Sequence, residues 1–222
     1  MEATLSKVPA SDDNMTRRLR RRPGEPQREQ KEATRKKLLA AARATFERFS
    51  YSNSSVEMIA DAAGVSRTTF YRHFDGKLPI AIALFDVMRP QLQGQWKELL
   101  QVKNPSLPEV LEWITRHVQL VEDNRRFLIV LHELEGLEKD LQPHIFAYEQ
   151  ELLKLIWPVK DGDEISGEVM AKSLLLLLQF DQFLYLFTVR NWMIDRPDLI
   201  SAMAKILHEF LLFRDSELKR RG

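Results

Sequence analysis

Between Arg67 and His73 the chain runs Arg-Thr-Thr-Phe-Tyr-Arg-His, and Lys77 follows four residues later. These side chains can read the edge of a base pair or hold a phosphate. An Arg presents a fork of N–H groups to the two acceptors of guanine, and a Thr methyl packs on the methyl of thymine. Arg67 and Thr69 are therefore the candidates for base edges, with Thr68 as a third. Tyr71, His73 and Lys77 are candidates for phosphates, and Arg72 shares their exposed face.

The elements needed to present them are legible on either side. Ser54 stands three residues before Glu57, the spacing at which each side chain satisfies the other's free amide at a helix start. Val56, Ile59, Ala60 and Ala63 then share one helical face. Gly64 ends that helix, since a sharp turn calls for a residue at ease with positive φ. Val65 plugs back into the core, and Ser66 caps a second helix starting at Arg67. Phe70 and Phe74 point inward at i, i+4, which leaves Arg67, Thr68, Thr69, Tyr71, Arg72 and His73 outside. A short helix with a polar outer face, held by a partner helix, suits the major groove.

The run Ala60-x-x-Ala63-Gly64-Val65-Ser66-x-x-Thr69-Phe70-Tyr71-x-His73-Phe74-x-x-Lys77 resembles the DNA-binding signature of the TetR/AcrR family of bacterial transcriptional regulators. Upstream, Thr34-Arg35, Ala41-Ala42, Phe46, Tyr51 and Ser54-Ser55-Val56 resemble the same family's first helix and its junction. The likeness covers about a fifth of the chain. Ser50 stands where the family usually has Gly, and Leu78-Pro79 where acidic residues are usual. Pro79 can occupy the opening turn of a helix without losing an intrahelical bond. The resemblance implies that the start of the first helix faces the DNA backbone. Thr34 and Ser54 join the candidate phosphate contacts, through hydroxyls or helix-start amides, Ser54 being a cap before anything else.

Charge divides along the chain in a way that fits this placement. The whole carries +1, but residues 17–77 hold 15 Lys and Arg against 7 Asp and Glu, whereas residues 78–222 hold 17 against 22. A basic end suits a polyanion, and an acidic body does not. The 222 residues contain no Cys, so disulfides and thiolate metal sites are excluded. No signal peptide is expected, and purely apolar runs such as Leu174 to Leu178 are too short to span a bilayer. A cytoplasmic protein, without cofactor or metal, is the expectation.

Residues 1–28 carry few large apolar side chains and are expected to be a disordered basic arm. Within them Arg17-Arg18-Leu19-Arg20-Arg21-Arg22 reads either as a solvated charge run or as an arm along phosphates or in the minor groove. A first helix is predicted over about 29–49, with Leu38, Leu39, Ala42, Phe46 and Phe49 as its inner stripe. With the helix pair it makes a three-helix DNA-binding domain over 29–77. A larger helical domain for regulation and dimerisation should fill 78–222. It begins with a long amphipathic helix over 78–100, which Pro90 should bend. Helices follow near 107–122, 124–138, 141–157, 165–191 and 198–216, with turns at Asp161-Gly162-Asp163 and Asp195-Arg196-Pro197. No strand pattern appears, so the fold class is all-α.

Leu174 to Phe187 is apolar nearly all round, and the last helix carries a wide stripe from Leu199 to Phe213. Helices of that kind need cover on more than one side, and a homodimer through the last two helices supplies it. The resemblance points to the same pair. Two recognition helices one DNA turn apart, about 34 Å, read a palindromic operator. The resemblance also implies a small-molecule pocket among the middle helices. Trp113, His117, Phe127, His132, Phe146, Tyr148, Gln179, Gln182 and Tyr185 are its candidates, each of which reads more readily as a core, surface or interface residue. Asp181 could meet a cationic ligand or pair elsewhere, and Glu133 and Glu135 beside His132 read as a polar helix face.

The function that results is a homodimeric, sequence-specific regulator that binds double-stranded DNA, a repressor released by a small hydrophobic effector. The alternative is an architectural, nucleoid-associated protein with no inducer. His117, His132, His144 and His208 lack metal-spaced partners, and there is no phosphate loop or nucleophile motif, so an enzyme is not expected.

Overall fold

Twenty-five residues of helix, α1 (Glu25–Phe49), open the computed structural model, which describes residues 25–158, 165–186 and 196–221. The Arg17–Arg22 run and the predicted turn at 161–163 lie outside the described residues. α1 starts four residues earlier than the sequence pattern predicts, with Pro26 in the opening turn, where no N–H is required. Its inner face is Leu38, Ala41, Ala42, Thr45 and Phe46; Leu39 is half-buried. Phe49 is 40% exposed and does not belong to the stripe. The buried Thr45 hydroxyl donates to the Ala41 carbonyl at 2.8 Å, so the core keeps no unmatched polar atom there. The helix stops at Ser50, which takes φ +65°. That left-handed conformation costs a non-glycine residue about 1–2 kcal/mol.

Two short helices follow, α2 (Val56–Ala63) and α3 (Arg67–Tyr71), and then the long α4 (Lys77–Gln101). Pro90 sits inside α4 without ending it. α5 (Leu107–Asp123) begins with a reciprocal Ser106–Glu109 capping box, and α6 (Arg125–Leu137) runs back along it. A 3₁₀ turn, Lys139–Leu141, leads into α7 (Gln142–Ile156). α8 (Gly167–Tyr185) and α9 (Arg196–Arg221) complete the described chain, with Pro197 in the first turn of α9 rather than in a loop before it. The described residues contain no strand, and the architecture is all-α, as the patterning predicts.

Two apolar clusters organise these helices, and α4 contributes to both. Its first half, from Ile80 to Leu92, packs with α1, α2, α3 and α6 around Phe46, Ile59, Phe70 and Leu134. Its second half sends Trp96 and Leu99 into a cluster with α5, α7, α8 and α9. Burying a side chain of that size is worth roughly 1.5–3 kcal/mol. The second cluster is closed by a buried ion pair on α9. Arg214 donates to Asp215 at 2.9 Å and to the Ile156 carbonyl at 2.8 Å, while Asp215 accepts the Asn104 amide at 2.7 Å. Among the described residues no helix is long and apolar enough to cross a membrane.

Candidate nucleic-acid interface and interior cavity

α2 and α3 form a helix-turn-helix, and the turn between them is built as the sequence requires at Gly64. Gly64 takes φ +65°, the Gly64 amide reaches the Asp61 carbonyl, and the Val65 amide reaches the Ala60 carbonyl, each at 3.0 Å. The cap at the start of α2 is Ser55, however, and not Ser54: Ser55 Oγ accepts the Met58 amide at 3.2 Å. Ser54 is buried, and its hydroxyl donates back to the Ser50 carbonyl. Its hydroxyl is thereby spent inside the junction and has no face toward a phosphate. Ser66 caps α3 as predicted, accepting the Thr69 amide at 3.1 Å.

Helical structure in α3 ends at Tyr71, so Arg72 and His73 stand in the turn beyond it rather than on a continuous rod. Phe70 and Phe74 are buried, their rings 6.0 Å apart, and fix the outward direction of the rest. Arg67, Thr68, Tyr71 and Arg72 are exposed, and Thr69 is half-exposed with its hydroxyl 3.0 Å from that of Ser66. Arg67 is not idle: its guanidinium pairs with Glu57 of α2 at 2.8 Å and lies 6.0 Å from the Tyr71 ring.

His73 sits in a basic setting that sequence reasoning only partly found. Partial burial, and then the charges of Lys31, Arg72 and Arg35, push its pKa below the ordinary value. Arg35 also covers the Phe74 ring at 4.6 Å. α1 therefore brings Lys31 and Arg35, four residues apart on one face, to the flank of α3. Thr34, between them, spends its only hydroxyl proton on the Gln30 carbonyl at 2.9 Å. It lies in the third turn of α1, where helix-start amides are no longer free.

Lys77 is turned inward. Its Nζ donates to the carbonyls of Tyr51 and Ser54 at 2.8 and 3.0 Å and lies 4.1 Å from the Tyr51 ring. The same turn is held from the other side by Glu133 of α6, which accepts the amides of Tyr51 and Ser52 at 3.0 Å each, and the Ser52 hydroxyl. Burial pushes the Glu133 carboxyl up, but the Ser52 and Tyr51 hydrogen bonds and the Lys77 charge bring it below the usual carboxylate value. Tyr51 adds a bond from its hydroxyl to Glu138 at 2.8 Å. Glu133 is thus a clasp across 82 residues of chain, invisible in a sequence where it looks like one more polar helix position.

A cavity of about 350 Å³ lies among α4, α5, α6, α7 and α8. Its wall is apolar over most of its extent, with Phe85, Trp96 and Phe180 among the larger side chains. Of the residues nominated from the sequence, His117, His132, Tyr148 and Asp181 line it. Trp113 stacks on His117 at 4.9 Å behind the wall, and Phe127 is buried in the other cluster beneath Arg43. Phe146 is 61% exposed, and Gln179 and Gln182 also face away from the core. Tyr185 packs its edge on His132 at 4.7 Å. The polar wall residues are His117, His132, Glu135, Gln142, Tyr148, Glu149 and Asp181. Among the described residues no three metal-ligating side chains converge on a point.

Residues 38–84 match the family model described as bacterial regulatory proteins, tetR family. None of the curated proteins matches the chain in sequence. Solved structures of similar fold include a tetR-family transcriptional regulator from Streptomyces coelicolor, at 20% identity and TM-score 0.60, covering 86% of this chain and 88% of that one. The fatty acid degradation regulator FadR from Bacillus halodurans has 18% identity and TM-score 0.56, over 81% and 94% of the two chains. The TetR-family regulator PfmR from Thermus thermophilus has 21% identity and TM-score 0.51, over 79% and 93%. Residues 38–84, with the helix-turn-helix, thus match the DNA-binding domain of the tetR family of bacterial regulatory proteins, and the chain shares the fold of these solved regulators over most of its length.

Proposed function

We propose that this is a cytoplasmic, homodimeric, sequence-specific DNA-binding repressor whose grip on a palindromic operator weakens when a small hydrophobic molecule enters the cavity. The observation that carries the reading is the solvent-facing polar surface of α3, flanked by the cations of Lys31, Arg35 and Arg72. Residues 29–77 act as the reading head, and residues 78–222 as the body that holds the effector and the partner subunit. Arg67, Thr68 and Thr69 address base edges in the major groove. Tyr71, Arg72 and His73, with Lys31 and Arg35, hold phosphates. Lys77, Ser54 and Thr34 support the fold of the head instead, because their donors are already committed.

Dimerisation uses α8 and α9. Leu175 and Leu178 of α8 are 64% and 57% exposed, and Leu174, Ile206 and Leu212 add to the apolar surface. Single exposed leucines are ordinary, but a row at helical spacing on the last pair of helices calls for cover. Much of the α9 stripe, including Leu207 and Leu211, faces inward and serves the second cluster.

Coupling between cavity and head runs through α4 and α6, which both line the cavity and hold the head. An effector that binds better to a state with these helices shifted draws the population away from the DNA-competent spacing. The Bacillus halodurans neighbour, a fatty acid degradation regulator, is in keeping with an apolar effector.

The test is selection of duplexes from a random pool by the purified protein. A palindrome with half-sites about 34 Å apart, bound at least ~1,000-fold tighter than random duplex at the same salt, is the expected result. Equal affinity for both overturns it in favour of an architectural protein.

A further inference from the structure

From the make-up of the cavity wall, we infer that the cavity takes an organic cation: a small apolar body carrying a protonated amine. This rests on the reading of the cavity as the effector site.

The first observation is the sign of the polar wall. Glu135, Glu149 and Asp181 come from α6, α7 and α8 and face the same space, Glu149 half-buried and Glu135 and Asp181 at its solvent-exposed mouth, and among the described residues no Lys or Arg lines it. His132, 3.7 Å from Glu135, can offset one carboxylate at most, so the wall keeps an excess of acid. Burial raises the carboxyls of both Glu149 and Asp181. The charges of Asp181 and then Glu135 raise Glu149 further, and at Asp181 the opposing pull of His132 does not reverse the rise. Like charge gathered around the mouth of an apolar cavity is relieved when a cation binds there.

The second observation is independent of the carboxylates. His117 is 2% exposed and lines the cavity. Its Nδ1 lies 2.6 Å from Gln95 Oε1, an atom with no proton to give, so Nδ1 is the donor. Burial pushes the ring's pKa down to about 4, which keeps it neutral near pH 7. Nε2 is therefore a lone-pair acceptor, and no protein group among the described residues donates to it. Wherever the wall is charged, or presents this ring, it asks for donors. Trp96 and Phe180, 5.2 Å apart, give the same space aromatic faces that favour a cation over an anion.

A metal ion does not fit. No three ligating side chains converge among the described residues, so the carboxylates are spread around a volume and do not surround a point. At about 350 Å³ the cavity is at the small end for an organic ligand, enough for one chain or a ring or two. A carboxylate of the same length would set its charge beside Glu149 and Asp181.

The experiment compares three probes of one chain length, decylammonium, decanol and decanoate, by titration calorimetry on the full-length protein at pH 7.5. Decylammonium should bind at least ten-fold tighter than either of the others. D181N and E149Q should each bring decylammonium toward the affinity of decanol and leave decanol unchanged, which also shows that the variants are folded. Decanoate or decanol binding as tightly as decylammonium overturns the inference, as does decylammonium affinity indifferent to both substitutions. Operator affinity is read in the same series. Tight decylammonium binding with no loss of DNA affinity removes the effector reading of the cavity and leaves the cation assignment standing.

Discussion

His132 and Glu133 are neighbours on α6 and serve different sites: His132 lines the cavity, while Glu133 holds the amides of Tyr51 and Ser52 at the end of the first helix. A single step along the chain separates the cavity wall from the turn that carries the helix-turn-helix. A slide or rotation of α6 at the cavity should therefore reach that turn through Glu133.

Glu133→Ala removes the acceptor for two amides and one hydroxyl. Loss of these bonds should cost about 1–2 kcal/mol of stability, read by urea unfolding. It should also shrink the ratio of operator affinities measured without and with a releasing ligand. An unchanged ratio would move the coupling to α4 alone.

Arg67→Ala should lower discrimination at one base position by about ten- to a hundred-fold while affinity for random duplex holds. Arg72→Ala should weaken binding to every sequence and reduce the salt slope by about one phosphate contact. Lys77→Ala should act on the melting temperature first, since its ammonium ties two backbone carbonyls. Binding assays against salt, with a melting curve for each variant, separate the three.

His73 gives the complex a pH dependence. In the free protein, partial burial and the cations Lys31, Arg72 and Arg35 favour the neutral ring. A phosphate against that cluster favours the charged ring, so binding takes up a proton. Affinity should rise as pH falls from about 7.5 to about 5.5, the range in which His titrates. His73→Gln should flatten that rise at fixed salt; an unaltered profile would place the phosphate elsewhere.

His117 predicts the pH dependence of stability. Burial lowers its pKa to about 4 in the folded protein, against about 6.5 when unfolded. Its contribution is complete above the unfolded value. As pH falls below it, the unfolded chain binds a proton that the folded chain refuses. The loss reaches about 3 kcal/mol near pH 4 and then levels off. The difference in unfolding free energy between the native protein and His117→Gln, followed from pH 7 to pH 4, isolates this from the carboxylates. A constant difference would mean the ring is not held neutral.

The helices and the reading head were legible in the sequence because capping, glycine and aromatic spacing there agree with one another. Where two neighbours satisfy one rule, the pattern is blind: Ser54 and Ser55 can both cap, and burial against Ser50 decides it. The cavity shows the same limit in another form. Composition points to Phe146 and Gln179 as readily as to Tyr148 and Asp181, two residues on along the same helices, and only the second pair forms the wall. Each residue turns a helix by about 100°, so composition finds the helix and misses the face unless a long apolar stripe fixes its phase. The Glu133 clasp had no local signal at all, because its partners are backbone amides 81 and 82 residues away.

Lys77 is the first residue of α4, yet its ammonium is fastened to Tyr51 and Ser54 in the preceding segment. The seam between head and long helix is consequently bolted and offers no free joint. Whatever tilts the head must carry the first turns of α4 along as one lever. Any flexing of that lever is expected farther down, toward Pro90, whose missing N–H leaves the Asp86 carbonyl without its usual amide.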